Sequence, residues 1–343
     1  MTAVSKLRIG LIGCGMWADK VHVPYLLSRA DVRIVAVSSC RTRAECEQKA
    51  FTHGIPQSFD DYEAMIQKAQ MDAVLITTPH SMHYAQAGFC LERSLHVLVD
   101  KPLACCLSHA KELVALAAKQ NKVLLVANQR RYGGGYQYMR RAVQSGDLGE
   151  VRLIHCLLAQ PVSPDFENSW RSRPELSCGG ILIDSGYHLL DSLLWVCGQA
   201  PNSVYAITDD CGAKAEDSCS ILLEFSNKAS ATATIFRGAP QRSEQETLSL
   251  YASKGAIISR HMRSPDCESY ELTHLLGDGT VVPTTYPVVP PEKWKPTANF
   301  VDSILRGDTV LSSGESNLST VGLIEAIYRS AATGNEEVID QGG

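Results

Sequence analysis

A stripe of polar residues interrupts the apolar stretch that spans residues 179–198. Asp184, His188 and Asp191 are spaced i, i+4 and i+7, so a helix would place them on one face. A carboxylate one turn before a histidine can orient the imidazole ring and shift its pKa, which suits a general acid/base near neutral pH. Two interpretations stay open: a catalytic pair of Asp184 and His188, or a buried histidine in a structural network. Asp191 can be structural in either case.

A lysine directly follows a short apolar segment at residues 96–99. The sequence Asp100-Lys101-Pro102 predicts a lysine at the carboxyl end of a buried strand, in a loop that the proline restricts. An ammonium group held there can stabilise negative charge on a reacting oxygen. The alternative is an ordinary surface lysine, but the position at a strand end favours the functional interpretation.

A glycine-rich turn follows the first apolar segment, at residues 7–12. Gly13-x-Gly15-x-x-Ala18 fits the dinucleotide fingerprint G-x-G-x-x-G/A. Gly13 would allow the tight turn, Gly15 the approach of a pyrophosphate, and Ala18 the close packing of helix on strand. The pyrophosphate would bind the free N–H groups at the start of the next helix. The alternative is an ordinary strand–turn–helix.

The end of the second predicted strand bears on the choice of cofactor. An NAD site normally has Asp or Glu there to bind the ribose 2′-hydroxyl. This chain has Ser38-Ser39-Cys40-Arg41, with Arg43 close behind. Hydroxyls and a guanidinium suit a 2′-phosphate, so we expect a preference for NADP over NAD. The alternative is that these residues are solvated and the cofactor is NAD.

The elements that would position these groups alternate in type through the first part of the chain. Apolar segments predict buried parallel strands, and helical patterns separate them. We therefore expect an α/β fold whose N-terminal Rossmann domain, residues 1–127, is a doubly wound parallel sheet that binds NAD(P). The predicted strands are 7–12, 32–37, 73–77, 96–99 and 123–127, and the predicted helices are 17–30, 43–51, 61–67, 82–92 and 108–120.

The second part of the chain has consecutive period-two segments, which predict an α+β domain with a large mixed, mostly antiparallel sheet. We assign residues 128–317 to substrate binding and oligomerisation, and expect the helix at 318–334 to dock back on the first domain. If helices cover one face of the sheet, another subunit can cover the other, which favours a homodimer or homotetramer. The predicted strands are 151–158, 203–208, 218–225, 229–236, 246–252 and 268–273.

Composition excludes several classes of protein. The net charge of −5 without a basic cluster argues against a nucleic-acid partner. No signal pattern or apolar run of membrane-spanning length is present, so we expect no membrane association. The 12 cysteines form no C-x-x-C pair. We therefore expect a reduced, cytoplasmic enzyme without a metal site.

Together these stretches resemble the glucose–fructose oxidoreductase / inositol dehydrogenase / MocA (Gfo/Idh/MocA) family over essentially the whole chain. Its motifs are the glycine fingerprint, a T-P-x-x-x-H turn at residues 78–83, E-K-P at 100–102 and G-G-G-x-x-x-D-x-G-x-H at 178–188. Asp100 stands where the family has Glu, and Cys178 where it has the first Gly. Both changes leave the reactive groups in place.

The resemblance implies hydride transfer between a nicotinamide and a secondary alcohol or ketone of a sugar or cyclitol. It places Lys101, Asp184 and His188 at the reacting carbon, and Trp170 and Arg171 at the nicotinamide end. Two alternatives are a glycoside hydrolase that uses NAD for transient oxidation and a non-catalytic nucleotide sensor. The residues that we assign to cofactor binding are Gly13, Cys14, Gly15, Met16, Trp17, Ser38, Ser39, Arg41, Thr77, Thr78, Pro79, His83, Asp100, Lys101, Asn128, Trp170 and Arg171.

Overall fold

The computed structural model describes residues 6–38, 42–264, 266–283 and 292–340. The chain forms two compact units, residues 1–129 with 292–317 and residues 130–291 with 318–343. The chain passes from the first unit to the second within a 3-10 turn at Gln129–Tyr132. Every helix in the described ranges is too short or too polar to cross a bilayer.

The first unit is built on a six-stranded parallel sheet with the strand order β3-β2-β1-β4-β5-β6. This is the doubly wound order, in which the chain starts in the middle and fills first one side and then the other. The prediction of a Rossmann domain is therefore confirmed. The strands are β1 (Leu7–Ile12), β2 (Val32–Ser38), β3 (Ser58–Phe59), β4 (Ala73–Ile76), β5 (His96–Val99) and β6 (Leu124–Val126).

Helices connect these strands and cover the sheet. They are α1 (Val23–Ser28), α2 (Arg43–His53), α3 (Tyr62–Lys68), α4 (His83–Glu92), α5 (Leu107–Lys119) and, from later in the chain, α9 (Lys295–Arg306). The helix predicted at 17–30 has a π-helical first turn, Ala18–His22, and Pro24 lies in the first turn of α1, where a proline is tolerated. Thr42 and Asp61 cap α2 and α3 by accepting backbone N–H groups. Further 3-10 turns lie at His80–Met82 and Glu315–Asn317.

The strands of the first unit are continuously apolar because their side chains are buried in its core. Leu11, Leu75 and Leu98 on neighbouring strands are almost fully buried. Each such side chain contributes about 2 kcal/mol relative to an exposed one. Phe300 and Val301 of α9 complete this cluster. Helix α9 was not among the predicted helices, and its residues belong to the first unit although they lie far along the chain.

The second unit contains a nine-stranded sheet in the order β14-β13-β12-β11-β7-β10-β9-β8-β15. Among the described strands of this sheet only β7 and β10 pair in parallel, so the prediction of a mixed, mostly antiparallel sheet is confirmed. The strands β12, β14 and β15 were not among the predicted ones. The strands are β7 (Val151–Gln160), β8 (Ser203–Asp209), β9 (Ser218–Glu224), β10 (Ser230–Arg237), β11 (Glu244–Ala252), β12 (Gly255–Ser264), β13 (Cys267–Leu276), β14 (Val281–Val282) and β15 (Glu337–Val338).

The described part of this unit contains the α-helices α6 (Gly134–Gln144), α7 (Pro174–Ser177), α8 (Tyr187–Cys197) and α10 (Leu318–Thr333). A π-helix at Leu182–Gly186 leads into α8, and a 3-10 turn lies at Trp170–Ser172. The final helix α10 packs on β8 and α8 and belongs to the second unit. The expectation that it also docks back on the first domain stays a prediction.

Candidate functional site

The strands of the first unit end level with one another. Ile12 is paired with Ile76, Ile76 with Val99, and Val99 with Val126. The turns that begin at the next residues, Gly13, Thr77, Asp100 and Ala127, therefore leave the sheet at the same edge. Ligands of doubly wound sheets bind at this edge. The fold thus brings the predicted cofactor residues of the first unit together.

The glycine turn has the conformation that the fingerprint requires. Gly13 has φ +83°, and its N–H donates to the Ser38 carbonyl at 2.9 Å. The Thr77 hydroxyl donates to the Gly13 carbonyl at 3.0 Å. A Cβ placed on Gly15 would meet no protein atom within 4 Å, so packing does not demand glycine there. Close approach of a pyrophosphate does require a glycine at position 15, so this turn fits the binding of a dinucleotide.

Two further residues predicted to bind the cofactor contain buried polar atoms that lack a hydrogen-bond partner among the described residues. The Ser38 hydroxyl at the end of β2 and the Asn128 Oδ1 atom after β6 make no hydrogen bond to any described residue. Asn128 is otherwise held by its Nδ2 atom, which donates to Asn317 at 2.5 Å. Buried polar groups are rarely left unsatisfied, so this pair also fits a site that receives a polar ligand. Ser39 and Arg41 lie outside the described residues.

His83 joins two of the turns at this edge. It is fully buried, with Nδ1 2.7 Å from the Pro102 carbonyl and Nε2 2.9 Å from the Thr78 carbonyl. Burial lowers the pKa of His83, which favours the neutral ring. A neutral ring has one N–H and can donate to only one of the two carbonyls. These contacts fix the Lys101–Pro102 turn against the Thr78–Pro79 turn.

Asp100 is held by a chain of buried polar groups that the sequence analysis missed. Thr297 Oγ1 lies 2.6 Å from His22 Nδ1, and His22 Nε2 lies 3.2 Å from the Asp100 carboxylate. If the Thr297 hydroxyl donates to Nδ1, the Nε2–H of a neutral His22 donates to Asp100. The half-buried Lys101 directly follows this anchored carboxylate. A single sequence gives no sign that His22 and Thr297 meet, because 275 positions separate them.

In the second unit, Asp184 lies in the π-helix and His188 is the second residue of α8. The segment 182–197 is helical as predicted, but its first part is a π-helix and only residues 187–197 are an α-helix. Asp184 is buried and accepts a hydrogen bond from Arg171 Nε at 3.1 Å, whereas His188 is half-buried. The Arg171 guanidinium also lies 4.4 Å from the centre of the Trp170 ring. Trp170, Arg171 and Asp184 therefore form one cluster.

A carboxylate outside the predicted set anchors the start of this helical segment. Glu216 accepts hydrogen bonds from the N–H groups of Gly180 and Leu182 and from the Tyr328 hydroxyl, at 2.8 to 3.1 Å. A Cβ on Gly180 would overlap the Glu216 carbonyl oxygen, so only glycine allows this close approach. A carboxylate on the first N–H groups of a helix satisfies donors that have no other partner.

Asp191 is structural. It accepts hydrogen bonds from Arg131 Nε at 3.0 Å and Nη2 at 2.6 Å, and from Thr320 Oγ1 at 3.1 Å. Arg131 and Asp191 are both at most 2% exposed. All hydrogen bonds described for the Asp191 carboxylate are thus made within the core of the second unit. Asp191 has the spacing from His188 that the predicted polar stripe requires, but its contacts are structural.

The comparisons with known proteins agree with this fold. Residues 7–128 match the family model described as oxidoreductase family, NAD-binding Rossmann fold, and residues 136–258 match the GFO/IDH/MocA C-terminal domain. A D-glucoside 3-dehydrogenase of Escherichia coli (strain K12) is 34% identical over 196 residues, covering 57% of this chain and 55% of that relative. This chain therefore aligns with only about half the length of that enzyme.

Two other matches extend over nearly the whole chain. Inositol 2-dehydrogenase of Rhizobium meliloti (strain 1021) is 27% identical over 343 residues, covering 95% of this chain and 97% of the relative. The crystal structure of the WlbA dehydrogenase from Bordetella pertussis, in complex with NADH and UDP-GlcNAcA, has a TM-score of 0.84. It is 20% identical, covers 98% of this chain and 99% of its own, and shares the fold. The chain belongs to the Gfo/Idh/MocA family of oxidoreductases, with an NAD-binding Rossmann domain.

Proposed function

We propose that this oxidoreductase transfers a hydride between a nicotinamide cofactor and a secondary alcohol or ketone of a sugar or cyclitol. The observation that carries the proposal is the common edge at which the glycine turn and Lys101 leave the parallel sheet. The names of two relatives, a D-glucoside dehydrogenase and an inositol dehydrogenase, support a polyhydroxylated substrate.

Each proposed catalytic residue has one task. His188 removes the hydroxyl proton during alcohol oxidation and returns it during ketone reduction. Lys101 stabilises the negative charge on the same oxygen while the carbon–hydrogen bond breaks. The nicotinamide, when bound, supplies or accepts the hydride. Asp184 orients His188, and its bond to Arg171 fixes the carboxylate from the other side.

The cofactor would be held at the edge of the first unit's parallel sheet, where the strands end. The glycine turn would receive the pyrophosphate, and Thr77, Thr78 and Pro79 would line the neighbouring turn. We assign His83 and Asp100 to the positioning of these turns, because their described contacts are with protein groups. Met16 and Trp17 follow the glycine turn, and Trp170 and Arg171 are proposed for the nicotinamide end.

A preference for NADP over NAD is the finer proposal on the cofactor. It rests on Ser39 and Arg41 in the sequence, where NAD enzymes usually have an acidic residue. Arg43 is a weaker candidate for the 2′-phosphate, because it forms ion pairs with Glu47 at 2.8 Å and Asp60 at 3.0 Å. Arg41 is therefore the residue to test.

We also propose that the enzyme forms a homodimer or homotetramer through the second unit's sheet. Large apolar side chains are exposed on the sheet face opposite the one that carries Ile154 and Leu250: Leu153, Tyr205, Ile207, Leu222, Tyr251 and Met262. Several large apolar side chains exposed on one face are typical of an interface between subunits. Sedimentation of wild type and of Leu222→Glu tests it, and Gln67→Glu, on the exposed side of α3 in the first unit, is the control. A monomeric wild type would contradict the proposal.

A substrate screen tests the reaction itself. Purified enzyme is incubated with a panel of sugars and cyclitols and with NAD⁺ or NADP⁺, while the absorbance of the reduced nicotinamide is followed. We expect net cofactor reduction with at least one polyol, and loss of that activity in Lys101→Met and His188→Asn. Release of an aglycone from a glycoside without net reduction would instead favour the glycoside-hydrolase alternative.

A further inference from the structure

Four polar side chains meet beside the glycine turn, on the side of helix α2. Cys14 lies between the two fingerprint glycines, Asp19 is in the π-helix, and Lys49 and His53 are in the last two turns of α2. Cys14 Sγ lies 3.4 Å and His53 Nε2 lies 3.0 Å from the same oxygen, Asp19 Oδ1. Lys49 forms an ion pair with the other carboxylate oxygen. None of these contacts is needed for hydride transfer.

We propose that Cys14, Asp19 and His53 bind a Zn²⁺ ion, and that Lys49 is the resident cation with which the metal competes. The proposal does not rest on the proposed redox reaction. The sequence predicts no metal site, because its cysteines form no C-x-x-C pair. Here the fold assembles the ligands from positions 14, 19 and 53, which no spacing rule would connect.

The ligand atoms fit this metal in type and separation. One thiol, one imidazole nitrogen and one carboxylate oxygen lie within 4.8 Å of one another. A tetrahedral Zn²⁺ ion has bonds of about 2.3 Å to sulfur and about 2.0–2.2 Å to nitrogen and oxygen, which places its ligand atoms roughly 3.3–3.8 Å apart. Shifts below about an ångström would close the site. A mixed sulfur and nitrogen set favours Zn²⁺ over Mg²⁺ or Ca²⁺.

Two features of the metal-free protein oppose the binding of Zn²⁺: the protonated Cys14 thiol and the ion pair between Lys49 and Asp19. Burial, aided by Asp19, raises the pKa of the Cys14 thiol to about 12, so the thiol is protonated in the metal-free protein. Binding replaces the S–H bond by an S–Zn bond and releases that proton to solvent. Lys49 must also leave the Asp19 carboxylate, and its side chain is one quarter exposed, so it can turn toward water.

The buried state of the ligands argues for a defined site rather than surface adsorption. Cys14 is 2% exposed, and the side chains of Asp19 and His53 are about one fifth exposed or less. The three ligands lie on the glycine turn, the π-helix and α2, which contribute Cys14, Ala18 and Ala50 to one buried core cluster. The site is therefore largely preformed, and ligand removal should act on metal affinity without unfolding the chain.

Metal affinity of the intact, cofactor-free protein tests the proposal. Zn²⁺ is titrated in competition with a chromogenic chelator, and Co²⁺ is used as a spectroscopic probe of thiolate coordination. We expect a single ion per chain, a thiolate-to-Co²⁺ absorption band, and affinity losses of at least about tenfold in Cys14→Ser and in His53→Gln. Lys49→Met should bind Zn²⁺ about tenfold more tightly, because a like charge next to the ion is removed.

Matched controls are Cys90→Ser and His109→Gln, which remove a buried thiol and a histidine of the same unit outside the cluster. Both should bind Zn²⁺ as wild type does. Equal affinity in wild type and His53→Gln, or no thiolate band in wild type, would overturn the site, and His53→Gln alone decides if Cys14→Ser does not fold. An unchanged or weaker affinity in Lys49→Met would overturn the role of Lys49 as the competing cation.

Discussion

Arg171 donates through Nε to the Asp184 carboxylate at 3.1 Å, although the two residues lie on different elements, a 3-10 turn and a π-helix. The side chain of Arg171 is 40% exposed, whereas that of Asp184 is 11% exposed. The arginine thus covers the proposed orienting residue and keeps its carboxylate from turning away. This pairing connects the Trp170-Arg171 turn, expected at the nicotinamide end, with the proposed acid/base helix.

Lys101→Met should abolish most of the hydride transfer. Removal of one electrostatic donor from a comparable site costs roughly 3–4 kcal/mol of transition-state stabilisation, or a few hundred-fold in rate. Lys101→Arg should also fail, because a planar guanidinium on a longer arm places its donors differently. Single-turnover rates at saturating cofactor measure the effect. A near wild-type rate in Lys101→Met would show that the charge has no part in the reaction.

His188→Asn should fold and bind cofactor, but turn over roughly 10²–10⁴-fold more slowly, the usual contribution of a positioned acid/base. The pH profile of the turnover number should also lose the limb that reports this residue. Cofactor affinity, measured by fluorescence titration, serves as the control. Turnover within a few-fold of wild type would assign His188 to the structural network that its buried helix also allows.

Arg41→Ala should weaken NADP binding and leave NAD binding nearly unchanged, because only NADP carries a 2′-phosphate. The loss of a charge-assisted pair is expected to cost about 1.5–3 kcal/mol, or roughly 10- to 150-fold in affinity. Equilibrium titration of both cofactors against both proteins measures it. Tighter binding of NAD by wild type, with no effect of the substitution on either cofactor, would contradict the preference for NADP.

Arg131→Met should destabilise the second unit by about 3–5 kcal/mol, since it leaves the Asp191 carboxylate buried without its cation. Replacement of both partners, Arg131→Met with Asp191→Leu, should restore much of the loss because no buried charge remains. Denaturant unfolding monitored by circular dichroism tests both variants. If the single variant loses less than about 1 kcal/mol, the pair is not a structural element of the core.

His96 should make stability fall between pH 6.5 and 4. Burial lowers the pKa of His96 to about 4, and the Val123 N–H donates to its Nδ1 atom at 3.0 Å, a bond that the ring can accept at Nδ1 only when unprotonated there. The unfolded chain therefore binds more protons in this range, so stability decreases as the pH falls toward 4. Solvent screening limits the effect to about 1–2 kcal/mol.

The variant His96→Asn keeps an acceptor for the Val123 N–H but does not titrate. Its free energy of unfolding should therefore change less than that of wild type over the same pH range. Urea unfolding at a series of pH values makes the comparison. If the free energies of unfolding of the two proteins change with pH in the same way, His96 is not the source of the pH dependence of wild type.

Structure was predicted most accurately from the sequence where a local pattern of residue types requires one particular backbone conformation. The glycine fingerprint, the buried strands and the period-two segments each predict structure from local spacing, and all were found in the fold. Contacts between distant positions could not be predicted. His22 meets Thr297, Glu216 meets Gly180, and Arg131 meets Asp191 only because packing brings separate elements together. The strand β12 escaped notice because its second half, Arg260–Ser264, is largely exposed and polar.

The first unit is not a contiguous piece of the chain, which limits how its parts can be exchanged with those of a relative. Residues 1–129 lack α9, whose Phe300 and Val301 belong to the same core cluster as Leu11 and Leu98. They also lack Thr297, the partner of His22. A chimera made with a single crossover near residue 129 would join one parent's strands to the other parent's α9. Recombination that preserves this core needs two crossovers, one on each side of residues 292–317, in addition to the one after the parallel sheet.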